Sequence, residues 1–301
     1  MRSVGFLNTL KEHCLDARLG RSCFLTPIPL IRMSADASTN RPVIQPTSTY
    51  REFAPPDAAR EHLVCLWTQQ VGGGEVDLEQ NVLPDACVDV IWVNGEPTVA
   101  GPATRAIVAH LPPGTVLVGA RFRPGWCAGV LGVDASELQD QHLPLADVSP
   151  ALARRFSTAV ADVEPVADRL AAAGSLLAGQ LAGSPPPDGI IRATVRWLAA
   201  HPHGRVHELG RALHVSDRQL QRRLLSAVGY APKTLHRILR FQRLLALATA
   251  GGPSAVLSSL ALRAGYADQA HMTRELRQLA GRSPTELLPG AESALQKAEL
   301  F

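Results

Sequence analysis

The stretch "VSDRQLQRRL", residues 215–224, decides how the last third of the chain is read. Ser216 can cap a helix by offering its side-chain oxygen to a backbone N–H, and Asp217 follows in the first turn, where the helix dipole favours negative charge. Leu220, Leu224 and Val228 then recur at i, i+4 and i+8 and predict a buried stripe. Arg218, Gln221 and Arg222 recur at i, i+3 and i+4 on another face. Just upstream, Val206 to Leu213 reads as a short helix with one apolar face, and His214 and Val215 make the turn between the two. Two short helices joined in this way suit the major groove of duplex DNA. There arginine can donate two hydrogen bonds to guanine, and glutamine can both donate to and accept from adenine. The same pattern also suits a solvent-facing helix whose arginines serve solubility, because surface charge alone is uninformative.

Working outward, almost every segment has helical period. "IIRATVRWLAAH" (190–201) places Ile191, Val195, Leu198 and Ala199 on one stripe. "TLHRILRFQRLLALATA" (234–250) turns Leu235, Ile238, Leu239, Phe241, Leu244 and Leu245 inward. A second pair follows: Val256 to Ala264 supports, Gly265 and Tyr266 turn, and a reader begins at Ala267 or Asp268. Met272, Leu276 and Leu279 form its buried stripe, while Gln269, Thr273 and Arg274 are outward with His271 at the flank. Arg277 and Arg282 suit phosphate contacts, which fix register without reading sequence, or simple solvation. The long helix between the pairs is expected to hold the readers about 34 Å apart, for successive major grooves on one face of the duplex.

Charge supports the partner. Between Asp188 and Gly290 the chain has 14 Arg and one Lys against six acids, a net of +9, which leaves −6 for the remainder of a protein whose formal net charge is +3. A basic module attached to an acidic remainder is the layout of a nucleic-acid-binding domain joined to something else. The 301 residues, 46% hydrophobic and 19% charged, suffice for two domains. No run approaches the roughly 18 apolar residues that cross a bilayer, and no leader-like stretch opens the chain. The expected location is the cytoplasm, with no membrane partner. Cys14, Cys23, Cys65, Cys87 and Cys127 form no CxxC pair and read as reduced thiols, without a disulfide framework or a zinc site.

The expected organisation is a poorly ordered arm over 1–45, a β-rich domain with trailing helices over 46–182, a linker at 183–189, a helical domain over 190–290 and a tail at 291–301. Met33, inside the arm, is an alternative start. "HLVCLWTQQV" (62–71), "CVDVIWV" (87–93), "AIVAHL" (106–111) and "TVLVGARF" (115–122) read as strands of a sandwich or small barrel. After Arg123 strand signals stop: Pro124 can open a helix, "SELQD" reads as a helix start with Ser136 near its cap, and a helical run spans about Val163 to Leu181. The linker "GSPPPDG" cannot continue either element.

The helical region resembles the DNA-binding domain of AraC-type (AraC/XylS) transcriptional regulators. It does so through "VHELGRALHVSDRQLQRRLLSAVGYAPKTLHRILRFQRLLAL", "AGYADQAHMTREL" and "GRSPTEL". The resemblance implies that Arg218, Gln221 and Arg222 in the first reader, and Gln269, His271, Thr273 and Arg274 in the second, face double-stranded DNA. Tyr266, Met272 and Leu276 stand where the family often has phenylalanine, and Ala270 occupies a position that can be polar, which makes the second reader weaker in base readout. "LPDACVDVIWV", "VAGPATR" and "GARFRPG" resemble a cupin-like domain that precedes this module in some relatives. The fold class implied is a small β-barrel followed by an all-α double helix-turn-helix domain. A sensory or dimerising role follows from the same resemblance, with a small-molecule effector, a homodimer and, for an activator, RNA polymerase as further partners.

Asp85, Asp89, Arg121 and Arg123 could line an effector pocket; such groups also form structural ion pairs or cap turns. His62, His110 and His142 are scattered and imply no metal, and no cofactor or catalytic constellation is apparent. The competing class is a DNA-repair methyl acceptor, with Cys87 or Cys127 as nucleophile beside Arg121 and Arg123. No four-cysteine cluster supports it, and buried thiols usually pack as small hydrophobes. A metabolite-modifying barrel is the third class, and the sequence supplies no catalytic residues for it.

Overall fold

The computed structural model describes residues 47–184, 186–251 and 256–288. The expected arm with Met33, Cys14 and Cys23, and the tail at 291–301, lie outside the described residues. The chain divides after Pro187 into two compact units.

The first unit opens with eight strands: β1 (Ser48–Phe53), β2 (Leu63–Val71), β3 (Leu78–Val82), β4 (Val88–Val93), β5 (Glu96–Ala100), β6 (Ile107–Leu111), β7 (Val116–Phe122) and β8 (His142–Pro144). Six form an antiparallel sheet in the order β1-β2-β7-β4-β5-β8, and β3 pairs only with β6. The sheet-rich domain is present, but no closed barrel forms among the described residues. Closure would need β1 and β8 to pair, and β8 is three residues long and ends in Pro144, which has no N–H to donate.

Four helices complete the unit: α1 (Ala128–Leu131), α2 (Leu145–Val148), α3 (Pro150–Val160) and α4 (Val166–Ala182). The expected helix at "SELQD" is instead a single 3-10 turn over Ala135–Glu137, where Asp134 rather than Ser136 caps and Glu137 reaches back. Alternation along β2, β4 and β7 sends Leu66, Val90, Trp92, Val118, Ala120 and Phe122 to one face, where they pack with Phe156, Leu170 and Leu177 of α3 and α4. The other face carries Cys65, Trp67, Ile91 and Leu117, with Tyr50 and Leu111 against them. Gly119 makes this face possible. A Cβ there would stand 2.1 Å from the Trp67 ring, so the absence of a side chain lets the indole lie on β7.

The second unit is helical: α5 (Gly189–Ala200), α6 (Val206–Ala212), α7 (Asp217–Val228), α8 (Pro232–Gly251), α9 (Leu257–Ala264), α10 (Gln269–Ala280) and α11 (Pro284–Leu287). The inward residues expected for α7, α8 and α10 are buried. In α5 the stripe is rotated from the expected one. Ile191, Thr194, Trp197 and Leu198 are buried, whereas Val195 and Ala199 are only half-buried, because the large Trp197 ring takes the core position.

Candidate nucleic-acid interface

The first bihelical pair is α6 and α7. His214 takes the left-handed conformation that lets the chain reverse between them (φ 55°), and the Val215 N–H donates to the Gly210 carbonyl. At the start of α7, Ser216 and Gln219 form a reciprocal cap. The Gln219 N–H donates to Ser216 Oγ at 3.2 Å, and the Ser216 N–H donates to Gln219 Oε1 at 3.1 Å. Two orphan donors of the helix end are thereby satisfied. Leu220, Leu224 and Val228 are buried. Arg218, Gln221 and Arg222 are exposed, and among the described residues no side chain pairs with them.

The second pair, α9 and α10, repeats the geometry with different chemistry. Gly265 ends α9 at φ 102°, a conformation that favours glycine. Asp268 caps α10, accepting the His271 N–H at 2.6 Å. His271 Nδ1 accepts the Ala267 N–H at 3.3 Å, which leaves Nε2–H as its free donor, and its ring stands edge-on to Tyr266. The Thr273 hydroxyl donates to the Gln269 carbonyl at 2.9 Å. Arg274 is exposed, whereas Gln269, His271 and Thr273 are half-buried.

Both readers are tied to the scaffold. Asp188 caps α5 through the Ile190 N–H and also pairs with Arg223 of α7. Arg237 of α8 donates from Nε to Glu275 of α10 and from a terminal nitrogen to Gln278 at 2.6 Å. Arg240 approaches the same carboxylate at 3.6 Å and lies over the Tyr266 ring. Arg243 Nε donates to the Arg263 carbonyl at the end of α9. Arg223, Arg237, Arg240 and Arg243 carry no local signal of these roles; their structural use depends on partners remote in the chain.

In the first unit, Asp85, Asp89 and Arg121 come together, joined by Glu52. Arg121 lies 3.2 Å from Asp89, 3.4 Å from Asp85 and 3.7 Å from Glu52. The Trp67 indole N–H donates to Asp89, and the Tyr50 hydroxyl donates to Glu52 at 2.7 Å. Burial pushes the Asp89 carboxyl up and Arg121 opposes that push. Arg123 is directed elsewhere, with its Nε donating to the Arg60 carbonyl at 3.3 Å. Cys87 and Cys127 are buried, and burial pushes the Cys127 thiol up to about 12 and the Cys87 thiol well above its ordinary value. A nucleophilic cysteine needs the reverse, an accessible thiolate. Among the described residues no group of three His, Cys, Asp or Glu could hold a metal, and no helix is long and apolar enough to cross a membrane.

Comparison with known proteins places these two units. Residues 51–144 match a family described as a domain of unknown function, DUF6597, and residues 209–289 match the helix-turn-helix domain. No curated protein matches the chain. Among solved structures, ToxT from Vibrio cholerae is similar at 10% identity, covering 80% of this chain and 97% of that one with a TM-score of 0.40. Wild-type ToxT of Vibrio cholerae strain SCE256 with an unsaturated fatty acid bound is similar at 11% identity, covering 83% and 98%, with a TM-score of 0.38. The chain thus carries a DUF6597 domain followed by an AraC-type helix-turn-helix domain, the DNA-binding module of transcription regulators.

Proposed function

We propose that the protein is a sequence-specific transcription regulator of the cytoplasm, that α7 and α10 enter successive major grooves of duplex DNA, and that the N-terminal domain controls binding through an effector or a second copy of the chain. The observation that carries the reading is the exposure of Arg218, Gln221 and Arg222 on a helix whose opposite stripe is fully buried. A helix anchored on one side and unpartnered on the other is free to give its donors to base edges. The net charge of +9 between Asp188 and Gly290 supplies the sequence-independent attraction to phosphates. The buried thiols of Cys87 and Cys127 favour this reading over a methyl acceptor.

Titration of the full chain into upstream duplex DNA tests it. Affinity should fall steeply and linearly in log–log form with salt, and Arg222→Ala should weaken it. Binding indifferent to both would reject the regulator.

A further inference from the structure

We infer that the two recognition helices divide the work unequally: α7 carries most of the base discrimination and seeks guanine, while α10 discriminates weakly and serves chiefly as an anchor. The inference rests on the DNA-binding reading above and names the kind of site that reading requires.

Counting from the caps puts the helices in common register. Ser216 and Asp268 each accept a backbone N–H three residues on, so both are position zero. Positions +4 and +8 are Leu220 and Leu224 in α7 and Met272 and Leu276 in α10, all buried. With that stripe fixed, +2, +5 and +6 face outward in both. Position +3 is tied to the helix start in both: Gln219 Oε1 accepts the Ser216 N–H and His271 Nδ1 accepts the Ala267 N–H, so each keeps only its remaining N–H, on a side chain held against the cap. The bond from Ala267 to His271 becomes visible only once the turn is folded.

The outward triplets differ. In α7 they are Arg218, Gln221 and Arg222: two guanidinium forks and one carboxamide, each able to make two bonds to one base. In α10 they are Ala270, Thr273 and Arg274. Ala270 has nothing to donate. The Thr273 hydroxyl proton is already given to the Gln269 carbonyl, so the side chain offers a methyl group suited to thymine and an oxygen that can only accept. Arg274 remains as one fork, with the half-buried Gln269 at the flank. The donors therefore favour two guanines and an adenine in the α7 half-site, and at most one guanine beside a thymine in the α10 half-site.

Selection of the full-length protein on randomised duplexes, followed by competition with single-base substitutions, tests this. Discrimination should concentrate in one half of the site. There, replacing either preferred guanine should cost about 5- to 150-fold, and 7-deazaguanine, which lacks the N7 acceptor, should cost a large part of that. Arg218→Lys keeps the charge but not the fork, so it should erase preference at one base pair while the salt slope stays the same. His271→Gln should leave the preferred sequence unchanged, since a carboxamide at +3 can accept a backbone N–H at the helix start, as Gln219 does from Ser216, and still keep an N–H donor. Equal discrimination in both halves, or a base preference altered by His271→Gln, would overturn the division of labour alone. Failure of the wild-type protein to retain any duplex would overturn the regulator reading and this inference with it.

Discussion

Arg237 Nε donates to Glu275 Oε1 at 2.9 Å, and the bond joins the long connecting helix α8 to the second recognition helix. Glu275 is position +7 from its cap, and position +7 of the first recognition helix is Arg223, which pairs with Asp188. The same position in each reader thus fastens it to a scaffold helix, with the sign of the charge reversed. The two fasteners differ in burial. The Glu275 side chain is 12% exposed, whereas Arg223 and Asp188 are 38% and 39% exposed. Coulomb attraction is worth far more in the first setting than in the second.

Glu275→Ala should therefore lower stability by about 2–3 kcal/mol, since it leaves Arg237 and Arg240 facing each other without their shared carboxylate. Arg223→Ala should lower it by less than about 1 kcal/mol. Urea midpoints with unchanged slopes would check both. DNA affinity of Glu275→Ala should fall without a change in preferred sequence, because the residue orients α10 and touches no base.

Acid should loosen the helical unit through His236. Its ring is buried, its Nε2–H donates to the His201 carbonyl, and burial together with the Arg240 charge lowers its pKa to about 4. The unfolded chain binds that proton near pH 6.5, so the unfolded state holds more protons between pH 6.5 and 4. The contribution is full above pH 6.5 and declines as pH falls, reaching about 2 kcal/mol of lost stability near pH 5. His236→Gln, which can still donate to His201, should flatten this slope; thermal melts at pH 7 and pH 5 would measure it.

The helical domain was legible because its signals are local. Caps, buried stripes and turns lie within a few residues of each other, and α7, α8 and α10 follow the expected periodicity. In the sheet, β2, β4, β6 and β7 were readable from β-branched runs. β1, β3, β5 and β8 were not: "LEQNV" and "EPTVA" are polar or contain proline, and they become strands only because a partner supplies the ladder. The open sheet edge depends on which strands meet, which no single segment encodes. The same limit hid the fasteners. Glu275 finds Arg237 across 38 residues, and Glu52 reaches Arg121 from the far edge strand, so neither pair has a signature in spacing.

Thiol chemistry separates the regulator from the methyl acceptor. Cys65, Cys87 and Cys127 are buried, and burial pushes the Cys65 and Cys127 thiols up to about 12. Peptide mapping after iodoacetamide at pH 7.5 should find all three unmodified in the native protein and modified once it is unfolded. Incubation with methylated DNA should add no mass at Cys87 or Cys127. A methyl group on either would restore the repair reading.

The cluster around Arg121 makes the last prediction, and its pH dependence carries the opposite sign to that of His236. One guanidinium faces Glu52, Asp85 and Asp89, and each of the four side chains is 16–17% exposed. Arg121→Met keeps the bulk of the side chain but leaves three carboxylates crowded together with no cation. At pH 7 the loss should be about 3–5 kcal/mol, the range for a buried charge deprived of its partner. Burial already pushes the Asp89 carboxyl up, and without Arg121 nothing opposes that push, so the folded variant binds more protons there than the unfolded chain. Its stability should recover as pH falls from 7 and decline again as pH rises through the raised value. Urea midpoints at pH 5, 6 and 7, followed by tryptophan emission because Trp67 bonds to Asp89, would record the recovery. A loss independent of pH would mean that Arg121 contributes only packing to this sheet face.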